Sequence, residues 1–122
     1  MKPERPFERT DRVANEIHHI IGQIQYQHID LSYLGFITFS KVLVSPDLKH
    51  AKVFFGVVNK KKNIENIAIE LNKKSKAFRK YLGQKLTIKF TPALKFYYDD
   101  SIAHVKRIDE LFSQLKKDDI DI

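Results

Sequence analysis

Apolar residues recur along this chain at two spacings, one near 3.6 and one near 2, and the alternation between them predicts its elements. Val13, Ile17, Ile20, Ile21 and Ile24 fall on one face of a first helix. Thr10 or Asp11 can cap its start, and the pattern fades between Gln27 and Asp30. Gly35 then opens a β-rich stretch, Phe36 to Ser45. Phe36, Thr38, Ser40, Val42 and Val44 fall on one side of it, and Ile37, Phe39, Lys41 and Leu43 on the other. Both sides are apolar at one end, which calls for a bulge or for burial on two sides. Ser45-Pro46-Asp47 is a turn signal, and a second strand runs from about Ala51 to Val58. The two strands read as an antiparallel hairpin.

Lys60-Lys61-Lys62 forms a charged loop, after which Asn63 can cap a helix with Glu65 in its first turn. Ile64, Ile67, Ala68, Leu71, Ser75, Phe78 and Leu82 give the clearest helical spacing in the chain, and Gly83 supplies a stop. Lys85 to Thr91 reads as a third strand, with Leu86, Ile88 and Phe90 on one side. Pro92 interrupts it, and Leu94, Phe96 and Tyr98 resume the alternation. After Asp99-Asp100-Ser101 comes a last amphipathic segment with Val105, Ile108, Leu111, Phe112 and Leu115. Pro3 and Pro6 oppose regular structure in the first residues. The expected organisation is a flexible arm over 1–9, a domain over 10–100, and a C-terminal extension over 101–122, partly helical or disordered. The fold class is α+β: a three-stranded sheet packed against helices, in the order helix-strand-strand-helix-helix-strand.

Composition narrows the function. A chain of 122 residues that is 43% hydrophobic can bury a core without staples. It has no cysteine, which removes thiol catalysis and thiolate metal sites. There is no apolar stretch of membrane-spanning length and no recognisable targeting segment, so the expected location is the cytoplasm and no membrane partner is expected. The net charge is +7, and it is unevenly placed. Between Lys60 and Lys89 stand ten basic residues against Glu65 and Glu70, so that window alone is +8 and the rest of the chain is close to neutral. A concentrated basic patch is the footprint of a polyanion partner.

The order of elements is that of a type II KH domain, a fold that holds single-stranded nucleic acid, usually with a GxxG loop between two short helices. No GxxG occurs here. Several segments, in order and spacing, resemble bacterial ribosome-binding factor A instead. They are Arg9-x-x-Arg12-Val13, Val42-x-Val44-Ser45-x-Asp47-Leu48-x-x-Ala51-Lys52-Val53, Phe78-Arg79-x-x-Leu82-Gly83, Pro92-x-Leu94-x-Phe96, Asp100-Ser101 and Arg107-Ile108-Asp109-x-Leu111. The resemblance runs from about Arg9 to Leu111. It implies a KH-like fold whose GxxG loop is replaced by a kinked helix at an Ala-x-Gly element, here Lys74-Ser75-Lys76. Without the glycine, packing of Ser75 is one way to hold the kink. The family's Asp-Pro-Arg-Leu turn is also altered, to Leu31-Ser32-Tyr33-Leu34. The resemblance further implies a ribosome biogenesis factor that binds the immature small ribosomal subunit and assists late maturation of its ribosomal RNA. It implies release with help from an assembly GTPase, and greatest need in the cold.

The residues expected to contact RNA follow from charge and face. Lys73, Lys76 and Lys80 recur on one outer helix face, flanked by Lys74 and Arg79, though Arg79 can equally pack or pair. Lys60, Lys61, Lys62, Lys85 and Lys89 lie close in sequence, Ser75 sits at the kink, and Arg9 and Arg12 extend the surface from the N-terminal side. Cations near a helix C-terminus also favour its dipole, which is the plainer reading. Most aromatics belong in the core, Tyr81 and Tyr97 being the exceptions. His18 and His19 point to different faces, and Glu16 completes no H-E-x-x-H pattern. No cofactor, metal or catalytic residue is called for, and the chain is expected to be a monomer that is not an enzyme. A protein-binding scaffold, which predicts salt-insensitive association, is one alternative to this reading, and two others stand beside it. One is a KH-like regulator of another RNA. The other is a metal-dependent nuclease built on Asp99, Asp100 and His104, which requires those three to converge in a cleft.

Overall fold

A computed structural model describes residues 6–120, with the side chains of residues 8–101 and 104–114. The elements are α1 (Pro6–Gln27), β1 (Phe36–Val44), β2 (His50–Val58), α2 (Ile64–Lys73), α3 (Ser75–Lys85), β3 (Ala93–Tyr98) and α4 (Ile102–Ile120). The expected α+β, KH-like order is present, and the sheet order is β1-β2-β3. β1 and β2 pair antiparallel, and β3 joins β2 in parallel.

α1 starts earlier than Thr10 and Asp11 suggest. Pro6 opens the helix, where a missing N–H costs nothing, so Pro6 to Arg9 are helical and not an arm. Residues 1–5 of the expected arm lie outside the described residues. The isoleucine stripe of α1 is buried against β1 and α3, together with Phe78 and Leu82. The β1–β2 register shifts between Phe39 and Lys41, which places the expected bulge at Ser40. Ile37, Val42, Ala51, Val53, Phe55, Leu94 and Phe96 form the inner face of the sheet.

The third strand is a correction. Lys85 to Thr91 is not a strand: α3 continues through Gly83 to Lys85, and residues 86–92 form an irregular segment. The strand begins only at Ala93, after Pro92, whose nitrogen has no proton for a ladder. Gly83 is not a stop but a clearance. A Cβ on it would stand 2.9 Å from Thr91 Oγ1, so glycine lets the segment lie close against α3.

α4 packs on the side of the sheet opposite α1 and α3, which adds a partial third layer to the expected two. Gly56 faces it, and His104 and Ile108 fill the space where a side chain at 56 would stand. Ser101 Oγ accepts from the His104 N–H at 3.4 Å and so caps the helix. Of the expected apolar positions, Ile108 is buried, Val105 and Leu111 are exposed, and the side chain of Leu115 lies outside those described.

Candidate nucleic-acid interface

The break between α2 and α3 sets the geometry of the basic residues. Lys74 sits there with φ −91° and ψ 3°, off the helical region, and its N–H still reaches Leu71 O at 3.0 Å. Two side chains hold the bend against the free edge of β3. Ser75 Oγ donates to Leu94 O at 2.6 Å. Asn72 works from the other side of the bend. Its Oδ1 accepts from the Phe96 N–H at 2.9 Å, and its Nδ2 donates to Phe96 O at 3.0 Å. Together they satisfy edge groups that would otherwise be open to pairing. The kink therefore needs no glycine. Asn72 is absent from the sequence reading; its signal is a polar residue three positions before Ser75 on the sheet-facing side.

The kink divides the basic face in two. Beyond it, Lys76, Arg79 and Lys80 of α3 and Lys89 of the 86–92 segment line one shallow groove with Phe90 and Thr91. Arg79 fixes the groove wall, because its Nε and Nη2 both donate to Thr91 O, at 3.1 and 2.8 Å. Phe90 is 66% exposed, with Lys89 Nζ 5.4 Å from its ring centre. Lys89 and Phe90 also line the adjacent hollow, which Arg9 and Lys49 share. The two hollows join into one cationic stripe from α3 to the start of α1. Asp47 stands in the second hollow, and hydrogen bonds from Ser45 Oγ and the Lys49 N–H hold its carboxyl below the usual carboxylate range. It stays an anion that partly offsets Arg9 and Lys49. Lys49 is a member the sequence reading missed. Arg12 is exposed on α1, three residues after Arg9.

Before the kink, a second cluster surrounds Tyr33. Lys62 and Lys74 place their ammonium groups 5.6 and 5.4 Å from the Tyr33 ring centre. The Tyr33 hydroxyl donates to Glu70 at 3.2 Å, and Glu70 pairs with Lys73 at 3.6 Å. Lys73 therefore turns toward Glu70 and does not line the groove of Lys76 and Lys80. The altered turn that carries Tyr33 is held by Asp30, whose Oδ1 accepts from the Ser32 N–H at 2.9 Å. Lys61 ties its N–H to Leu34 O, Lys85 donates to Gln27 Oε1 at 3.0 Å, and Lys60 lines the cleft under α4. Ser75 is committed to the β3 edge, its hydroxyl donating to Leu94 O. Tyr81 stacks on His28 with centroids 4.2 Å apart. His18 Nε2 donates to Phe39 O at 2.6 Å, a packing role.

Asp99, Asp100 and His104 do not form a cleft of the kind a nuclease needs. Asp99 and His104 are buried at 7% and 6% exposure, while Asp100 is exposed. Asp99 already accepts from Ser40 Oγ at 2.5 Å and from the Ser101 N–H at 2.9 Å. Burial pushes its carboxyl up, but these hydrogen bonds outweigh it and the net shift is down. His104 is shifted down by burial, against the pull of Asp99. Among the described residues no three His, Cys, Asp or Glu side chains stand close enough to hold a metal ion.

The basic groove, the glycine-free kink and the parallel third strand are the setting for a match over most of the chain. The sequence pattern of ribosome-binding factor A covers residues 9–112. The chain belongs to the ribosome-binding factor A family. A ribosome-binding factor A from Coxiella burnetii is 36% identical over 115 residues, covering 93% of this chain and 96% of that one. One from Aromatoleum aromaticum is 31% identical over 115 residues, covering 94% and 91%. The fold agrees as well. A crystal structure of ribosome-binding factor A from Thermus thermophilus superimposes with a TM-score of 0.62 at 15% identity, over 73% of this chain and 94% of that one. A solution structure of a Thermotoga maritima protein described as a ribosome binding factor A gives 0.63 at 24%, over 82% and 95%. No described helix of this family member is long and apolar enough to cross a membrane.

Proposed function

We propose that this chain binds the immature small ribosomal subunit and assists late maturation of its ribosomal RNA, acting by binding energy and not by catalysis. Membership of the ribosome-binding factor A family supports the ribosome as the partner. The observation that carries the site is the stripe of Lys76, Lys80, Lys89 and Arg9 around exposed Phe90. Ammonium groups on rigid elements follow phosphates and release counterions on binding, which positions RNA without reading its sequence. An exposed ring at their centre offers a surface on which a base can stack. Such a protein favours one RNA conformation only by the difference in its affinity for the two.

On this reading the KH-like unit, α1 through β3, carries the RNA contacts and α4 is an appended brace. The protein works as a monomer in the cytoplasm, without a cofactor, and an assembly GTPase assists its release. Demand for it rises in the cold, when misfolded RNA is slowest to rearrange.

The test is sedimentation of the tagged protein with extract from cold-grown cells, at low and raised salt. Migration with free small subunits, weakened by salt and lost when Lys76, Lys80 and Lys89 are all replaced by alanine, is the expected result. Protein that stays at the top of the gradient at low salt overturns the reading and moves the search to other RNAs.

A further inference from the structure

α4 covers only part of the outer face of the sheet. Two cross-strand rows beyond it stay open. Lys41, Phe54 and Tyr97 are partners across the three strands, and so are Leu43, Lys52 and Lys95. The Phe54 and Tyr97 rings lie side by side, centroids 5.8 Å apart and 30° between their planes. Lys41 Nζ is 4.8 Å from the Phe54 ring centre, and Lys52 and Lys95 are 5.8 and 5.4 Å from that of Tyr97. All three lysines are exposed, the two rings are half-buried, and Leu43 is 52% exposed. Among the described residues none of the three lysines is ion-paired.

Cation–π contacts account for where the three ammonium groups sit, but not for two lysines facing each other across neighbouring strands. Like charges directly opposite each other on neighbouring strands destabilise a sheet, and Lys52 stands opposite Lys95. Threonine or an acid at either position would suit a solvated face better. A partner that brings anions at intervals and flat apolar faces between them satisfies every member of the patch. An apolar helix laid on it would strip water from three unpaired ammonium groups, which is costly. An acidic peptide would neutralise the lysines and leave the rings unused. Single-stranded nucleic acid has both features, since its bases stack on aromatic side chains and its phosphates meet cations.

We propose that the open half of the outer sheet face, Phe54 and Tyr97 among Lys41, Lys52 and Lys95, is a second RNA-binding surface that takes unstructured single strand by base stacking. It lies across the sheet from the α3 groove, so the two surfaces hold different RNA segments. α4, seated on Gly56 in the next row, ends the platform and limits it to about two stacked bases, one for each ring. The hollow at the β3 edge, which Lys52, Lys95, Tyr97 and His50 share, continues the path for the strand. The platform does not depend on the small subunit as partner, because any single-stranded RNA would meet it.

The experiment is fluorescence anisotropy of the full chain with a short 5′-labelled oligouridine, free of ribosomes. Loss of one stacked base corresponds to about tenfold in affinity, so Tyr97→Ala should weaken binding by roughly that factor while Tyr97→Phe leaves it intact. The Tyr97→Phe control and an unchanged amide spectrum around Gly56 separate lost stacking from lost fold. Lys52→Ala with Lys95→Ala should flatten the salt dependence. Equal affinity for wild type and Tyr97→Ala would overturn the proposal. So would binding of polyglutamate or of an abasic ribose-phosphate oligomer as tight as that of the RNA, which would mark the patch as a docking face for acidic protein or for any polyanion. Binding abolished by Lys80→Ala with Lys89→Ala alone would also overturn it, placing the strand in the α3 groove.

Discussion

His104 packs its imidazole into the space that Gly56 leaves by having no side chain, so that a Cβ at 56 would overlap it and Ile108. This contact docks α4 on the outer face of the sheet. It is reinforced on both sides, by Thr38 Oγ1 at 3.4 Å from His104 Nε2 and by Asp99, which is tied to the bulge residue Ser40. Gly56→Ala should therefore dislodge α4 without disturbing the core on the other face. Overfilling a packed site costs about 1–3 kcal/mol. Urea unfolding should show that loss, and amide exchange should show it concentrated in α4 and β2. A variant as stable as wild type would mean that α4 adjusts freely.

The same contact gives acid sensitivity. His104 has its folded value below the ordinary 6.5, through burial first and despite Asp99. The unfolded chain then binds more protons in the window below 6.5, so stability rises with pH there and falls on acidification. Loss should begin just under pH 6.5 and level off once the pH is below the folded value. Asp99 acts in the same direction at lower pH. Its folded value is below 3.8, so its contribution is present above that and disappears as the pH falls through the folded value. Melting temperature between pH 7.5 and 5 should drop for wild type and stay flatter for His104→Asn. Parallel curves for the two would assign the loss to another group.

At the helix kink, Asn72 completes the edge of β3. Replacing it with leucine keeps the size but leaves the Phe96 N–H and carbonyl without their partners. A buried or half-buried backbone group left unsatisfied costs about 1–3 kcal/mol. Asn72→Leu should be destabilised by that amount in urea, and Ser75→Ala, which frees only Leu94 O, by less. If Ser75→Ala is the worse of the two, the bend is held mainly by Ser75.

Much of this architecture is legible in the chain because it depends on local spacing. The α1 isoleucines, the Asn63 cap with its 2.8 Å bond to the Asn66 N–H, and the bulge at Ser40 each follow from neighbours in sequence. The 86–92 segment misleads because Leu86, Ile88 and Phe90 alternate as a strand does. Of the three only Leu86 is buried, and Arg79 and Gly83 hold the segment against α3 in place of a ladder. Charge density along the chain finds Lys76, Lys80 and Lys89, yet it also gathers Lys73 and Lys85, which bond Glu70 and Gln27. Lys49 reaches the stripe through a turn that is distant in sequence. Lys41, Lys52 and Lys95 become neighbours only through strand pairing, which no window of sequence can reveal.

The stripe itself makes a prediction about salt. Each phosphate neutralised on single-stranded RNA contributes roughly 0.7 to the slope of log affinity against log salt, and somewhat more on a duplex. Lys80→Ala and Lys89→Ala should each lower that slope by about this amount, because both ammonium groups line the groove with no acidic partner among its lining residues. Lys73→Ala should change it less, since Glu70 already pairs with Lys73. Arg79→Lys should act differently from all three. It removes the paired bonds to Thr91 O, lets the 86–92 segment move, and so weakens binding through position more than through charge. Titrations of small subunits or their isolated RNA across a salt series distinguish these cases. Equal slopes for wild type and the two groove variants would show that the RNA bypasses α3.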